Sequence, residues 1–158
     1  MFLKSHQASL PVGVQNVLLP VGVQKVIFTE EKMLVVMKKN LNWRSARQEC
    51  KKLGGDLASL SSETELDQLA QTLNVKNPGG NVGVWLGAQL VDHEDPTQKW
   101  KWITGETLPA DSDKWRSGQR DDGERCLVIY WNEGSPYHGK LYSLDCTVKR
   151  AYYVCQFM

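Results

Sequence analysis

Hydrophobic and polar positions follow two different periods along this chain, and its elements begin and end where one period gives way to the other. Lys99-Trp100-Lys101-Trp102 alternates with a period of two, which puts both indoles on one face of a strand and both ammonium groups on the other. Val84-Trp85-Leu86-Gly87-Ala88 is a short, almost continuous apolar run bounded by glycine, the pattern of a strand buried on both faces. Residues 32–38, 126–130, 140–144 and 151–157 read as further strands. The period changes at Asn42, a good N-cap, after which Trp43, Ala46, Cys50 and Leu53 recur at helical spacing until Gly54-Gly55 stops them. Residues 57–60 form a short extended link. Ser62 and Glu65 then read as a capping box for a second helix with Leu66, Leu69, Ala70 and Leu73 along one stripe. Residues 74–81 and 132–139 are turn regions, and residues 107–125 are irregular, with Pro109, Gly118, Gly123 and many acidic side chains. An unstructured stretch this long inside a compact domain is usually functional. Helices and strands are segregated along the chain, which predicts an α+β fold rather than alternating α/β units.

The N-terminal stretch stands apart. Leu10-Pro11-Val12-Gly13-Val14-Gln15-Asn16-Val17 recurs as Leu19-Pro20-Val21-Gly22-Val23-Gln24-Lys25-Val26. Two copies are too few for a solenoid. The division expected is an arm over residues 1–31 and a single domain over 32–158. The arm either packs on the domain's edge or adds a strand to a neighbouring protomer, giving a homo-oligomer.

Composition narrows the partners. A chain of 158 residues with 41% apolar and 23% charged residues can bury one core. A net charge of +1 without a basic run argues against nucleic acid, and no apolar run approaches a membrane span. The first residues lack a secretory signal's pattern, because polar residues follow Lys4 and the apolar run from Leu10 is broken by Pro11, Gly13 and Gln15. Cys50, Cys126, Cys146 and Cys155 include no C-x-x-C pair, which argues against structural zinc, and they allow three disulfide connectivities. Oxidised pairs would place the protein in an extracellular or luminal compartment.

The order of elements resembles a C-type lectin-like domain over residues 32–157. The resemblance is carried in register by Trp43 to Cys50, Gly54-Gly55-Asp56-Leu57-Ala58, Val84-Trp85-Leu86-Gly87, Trp100-Lys101-Trp102, Trp115 and the last three cysteines. It implies two helices flanking antiparallel sheets with a long loop region. It also implies the disulfides Cys50–Cys155 and Cys126–Cys146, the short form without an extra N-terminal pair. In sugar-binding members of this family the long loop holds calcium through a Glu-Pro-Asn or Gln-Pro-Asp motif, a nearby glutamate and an Asn-Asp pair. The matching positions here are Gln119-Arg120-Asp121, Glu124, and Tyr142 with Ser143. The implied metal ligands are therefore Gln119, Asp121 and Glu124, and the implied sugar-binding set adds Tyr142 and Ser143.

Three departures weaken that implied calcium site. Tyr142 offers a phenol that ligates poorly, and Ser143 offers only a hydroxyl and its backbone carbonyl. Arg120 replaces the proline whose cis peptide aims both flanking side chains at the ion, and a non-proline cis bond costs about 2.5–4 kcal/mol. The Gln-x-Asp order resembles the galactose-selecting version. Trp131 and Tyr137 are candidates to stack on a sugar ring, with ordinary packing as the alternative for each. Asp92, Glu94 and Asp95 lie where some family members hold an auxiliary calcium, and Asp111, Asp113 and Asp122 read as loop charges, Asp122 also as a spare ligand.

Two functions follow from the resemblance. One is a secreted lectin recognising glycans or glycoproteins, galactose-type and calcium-assisted. The other is a calcium-independent lectin-like domain that binds a protein or another surface. Catalysis is not indicated: His6, His93 and His138 are scattered, Ser135 and His138 lack an acidic partner, and a lone loop histidine is usually solvated.

Overall fold

The strands of this protein are rich in β-branched and aromatic residues, and all eight described strands join a single sheet. The computed structural model describes residues 22–29, 31–60, 62–73, 82–92, 94–116, 123–132 and 134–158. Along the chain come β1 (Val23–Phe28), β2 (Met33–Leu41), α1 (Trp43–Lys52), β3 (Asp56–Leu57), α2 (Glu63–Thr72), β4 (Val82–Leu90), β5 (Trp100–Trp102), β6 (Arg125–Trp131), β7 (Leu141–Asp145) and β8 (Arg150–Phe157). The sheet runs β1-β2-β8-β4-β6-β7, with β3 beside β8 and β5 beside β4. Only the β4–β8 pairing is parallel among the described strands. The fold is α+β, as the segregated elements predict.

Alternation along the strands divides the core in two. Val84, Leu86 and Ala88 of β4 pack with Leu127, Ile129, Trp131, Tyr152 and Val154, and α2 covers this face with Leu66 and Leu69. Trp85 points the other way, into Val128, Tyr153 and Cys155, and α1 covers that face with Trp43, Ala46 and Cys50. β4 is thus buried on both faces, as its apolar run predicts. Two indole N–H groups find backbone acceptors inside: Trp43 Nε1 donates to Leu86 O at 2.8 Å and Trp85 Nε1 to Leu41 O at 3.0 Å. Trp100 and Trp102 are both buried on β5, so the period-two reading holds.

Gly87 sits where β4 passes the link after β3. A Cβ there would stand 2.8 Å from Leu57 O and 2.9 Å from Ala58 O, while the Gly87 N–H donates to Ala58 O at 2.8 Å. The position requires a residue without a side chain.

The helix caps form as the sequence predicts: the Asn42 side chain accepts from Ser45 N at 2.9 Å and Ser62 Oγ from Glu65 N at 3.1 Å. The Glu65 carboxylate takes a different partner from the reciprocal cap bond of a capping box. It pairs with Lys32 Nζ at 2.8 Å, and the same ammonium donates to Ser59 O at 2.6 Å. Both disulfides match the pairing that the resemblance implies. Cys50–Cys155 ties α1 to β8 across 105 residues, and Cys126–Cys146 ties the start of β6 to the turn after β7 across 20. The end of the repeat forms β1, an edge strand antiparallel to β2 with Val26 and Ile27 buried. The first copy lies outside the described residues.

Candidate functional site

Of the positions implied as a site, Glu124, Tyr142 and Ser143 lie among the described residues. Gln119, Arg120, Asp121 and Asp122 lie outside those residues. Glu124 is exposed just before β6. Tyr142 and Ser143 are adjacent on β7, opposite Val128 and Leu127 of β6. Successive strand residues face opposite sides of a sheet, so these two serve different surroundings.

Ser143 is buried against Arg125. The guanidinium donates to Ser143 Oγ from Nε and from Nη2, both at 3.2 Å, and to the Ser143 carbonyl from Nη2 at 3.0 Å. A fixed cation therefore already holds the two oxygens that this position could offer calcium. Bringing a divalent cation beside a guanidinium adds like-charge repulsion that water screens poorly at a half-buried edge. Tyr142 fits a metal no better. Burial pushes its phenol above the usual tyrosine value, against the Arg150 and Arg116 guanidinium groups, which pull it down. The phenol keeps its proton at neutral pH, and hard cations prefer anionic oxygens. No group of three or more His, Cys, Asp or Glu side chains among the described residues could hold a metal. The described edge does not fit calcium.

What the fold assembles on the Tyr142 side is an aromatic cluster around one arginine. The Arg116 guanidinium lies 4.3 Å from the ring centre of Tyr137, 5.9 Å from Tyr142 and 6.0 Å from Tyr130. Tyr130 and Tyr142 meet edge to face at 6.0 Å. Arg116 and Tyr130 escape the motif-based reading, because nothing in their spacing links them. The single signal is the position of Arg116, directly after Trp115 within the irregular stretch.

The remaining candidates divide between packing roles and exposed positions. Trp131 is buried edge to face on Tyr152 at 4.9 Å, so it packs in the core rather than offering a sugar platform. Tyr137 is 40% exposed and keeps that possibility. His138 is half-buried with both ring nitrogens bonded to the protein, where a lone loop histidine is expected to be solvated. Its Nδ1 accepts from Asn132 N at 3.0 Å, and its Nε2 lies 3.0 Å from Ala70 O. Those partners require the neutral tautomer with the proton on Nε2, and they pin the loop between β6 and β7 onto α2. Ser135 Oγ accepts from Tyr137 N at 3.2 Å. Asp95 caps a short 3-10 turn by accepting from Thr97 N at 2.9 Å, and Asp92 and Glu94 are exposed. Asp111 and Asp113 are exposed too. A groove of about 420 Å³ runs along Thr97, Gln98, Thr107, Pro109, Ala110 and Asp111, and includes none of the expected site positions except Asp111 among the loop charges.

Known proteins agree with this architecture. The family profile described as the lectin C-type domain matches residues 39–157. The mouse (Mus musculus) secretory phospholipase A2 receptor is 29% identical over 126 residues, covering 73% of this chain and 8% of the receptor. Ladderlectin of Oncorhynchus mykiss is 28% identical over 95 residues, covering 58% of this chain and 47% of that protein. The chain thus spans less than half the length of these curated relatives. Among solved structures, the cow C-type carbohydrate-recognition domain of CD23, determined with an oligosaccharide, superposes with a TM-score of 0.61 at 22% identity, over 89% of this chain and 96% of that one. Human lithostathine superposes with a TM-score of 0.65 at 19% identity, over 88% and 98%. At these identities the superpositions speak for the fold.

Proposed function

Because this chain belongs to the C-type lectin domain family, we propose that it is a glycan-binding domain that works without calcium in an extracellular or luminal compartment. Carbohydrate binding is the family's general activity. The observation that carries the metal-free part is the Arg125 guanidinium on both Ser143 oxygens. Two disulfides favour an oxidising compartment. The bonded ring nitrogens of His138 favour a binding role over a catalytic one, since a general base needs a free nitrogen. Galactose preference, read from Gln119 and Asp121, belongs to the calcium-assisted alternative, and a competition series of galactose against mannose, run with and without calcium, tests it. Self-association through the N-terminal arm is tested by comparing the mass in solution of the full chain with that of a chain lacking residues 1–21, which keeps β1 in the sheet.

The central test is a glycan array probed in chelator, paired with a calorimetric titration of calcium into the protein. Glycan binding is expected to survive the chelator, and calcium at millimolar concentration is expected to give no heat of binding. Binding that disappears in chelator and returns with calcium would overturn the metal-free reading.

A further inference from the structure

We propose that Arg116 and its tyrosines form the seat for an acidic group on the ligand, so that the glycans recognised carry a carboxylate or a sulfate. This rests on the glycan-binding reading above and names its ligand class. Arg116 is held in place before any ligand arrives. Its backbone N–H donates to Leu141 O at 2.7 Å, and the Leu141 N–H donates to Lys114 O at 2.8 Å. The preceding Trp115 donates from Nε1 to Pro109 O at 2.8 Å and packs its ring 5.1 Å from Trp100.

Among the described residues no carboxylate pairs with Arg116. Ion pairs among the described residues join Lys32 to Glu65, Lys39 and Lys52 to Glu49, Arg47 to Asp56, and Lys114 to Asp67. Arg116 takes part in none of them. Its contacts are the faces and edges of Tyr130, Tyr137 and Tyr142, which attract a cation through the ring quadrupole and leave its full charge in place. A guanidinium stacked on a ring keeps its planar N–H edge for a two-pronged bond to a carboxylate or sulfate. The second cation near the cluster, Arg150, acts on Tyr142 and adds to the positive potential. The exposed ring of Tyr137 can lie against the apolar face of the sugar that carries the acid. Arg116 on its tyrosine rings, with Arg150 acting on Tyr142, suits one acidic group. They do not make the continuous basic track that a polyanion such as nucleic acid requires.

The test titrates the full chain, in chelator, with lactose, 3′-sialyllactose and 3′-sulfolactose. At least one acidic probe is expected to bind ten-fold or more tightly than lactose, with the margin shrinking as salt rises, and which one it is tells carboxylate from sulfate. Arg116→Gln is expected to bring the acidic probes down to the level of lactose, and Tyr137→Ala to weaken all three. Equal binding of the three probes by the unaltered protein overturns the inference, whether or not the variant folds. So does a preference that persists in a folded Arg116→Gln protein. Array binding confined to neutral glycans would remove this inference and leave the glycan-binding reading standing. No binding to any glycan would remove both.

Discussion

Gly87 shows how little room the central strand leaves. Both carbonyls it faces belong to the backbone, so neither can swing away from an added methyl group. Gly87→Ala is expected to destabilise the protein by about 2–3 kcal/mol, through backbone shifts in the link after β3. Chemical denaturation with an unchanged m-value would verify it. The phenols of Tyr142 and Tyr153 make a second prediction. Burial raises both above the ordinary value, so in alkali the unfolded chain loses these protons before the native one does. Their contribution is complete below the unfolded value of about 10 and is lost as pH rises from there through the folded values. Stability should therefore fall above about pH 10. Tyr142→Phe should flatten the fall in a series of denaturation curves, since phenylalanine has nothing to titrate.

Between elements, the contact to watch is the ammonium of Lys32. It sits at the start of β2 and holds α2 through Glu65 and the link through Ser59 O. Its side chain is 10% exposed and that of Glu65 is 14% exposed, so the pair lies between a surface bridge and a fully buried one. Glu65→Ala strands the cation near the core and is expected to cost about 2–4 kcal/mol. Lys32→Met combined with Glu65→Leu should recover most of that loss, because an apolar pair leaves no uncompensated charge. Thermal unfolding of the single and double variants would decide. If the double variant is no better than Glu65→Ala, the pair is not what docks α2.

Across the molecule, the two disulfides divide the work unequally. One closes a span of 105 residues and the other a span of 20. In the chain-entropy model the longer closure contributes about 4.8 kcal/mol and the shorter about 3.3 kcal/mol. Replacing Cys50 and Cys155 together by serine should therefore lower the unfolding temperature more than replacing Cys126 and Cys146. The shorter bridge has a more local effect. It joins the two strands that bear Arg125 and Ser143, so its loss should raise amide exchange along β7 first. Equal exchange throughout the sheet would show that the bridge acts only on the unfolded chain.

Elements were readable from the chain wherever a period ran long enough to assign a face. The Trp100–Trp102 alternation, the apolar run of β4 and the stripe of α2 all appear where hydrophobic pattern puts them. The caps at Asn42 and Ser62 do too, because each is a bond between residues three apart. The disulfide pairing came from likeness to a family, since spacing alone left three choices. The contacts that matter for the site are long-range. Arg125 meets Ser143 across a strand pair, Arg116 meets three tyrosines from two strands and a loop, and His138 reaches back to Ala70. No local period encodes a meeting between residues far apart in sequence; only the folded sheet brings them together. The chain alone therefore specified a lectin-type scaffold, and tertiary packing decided that a guanidinium takes the oxygens at Ser143.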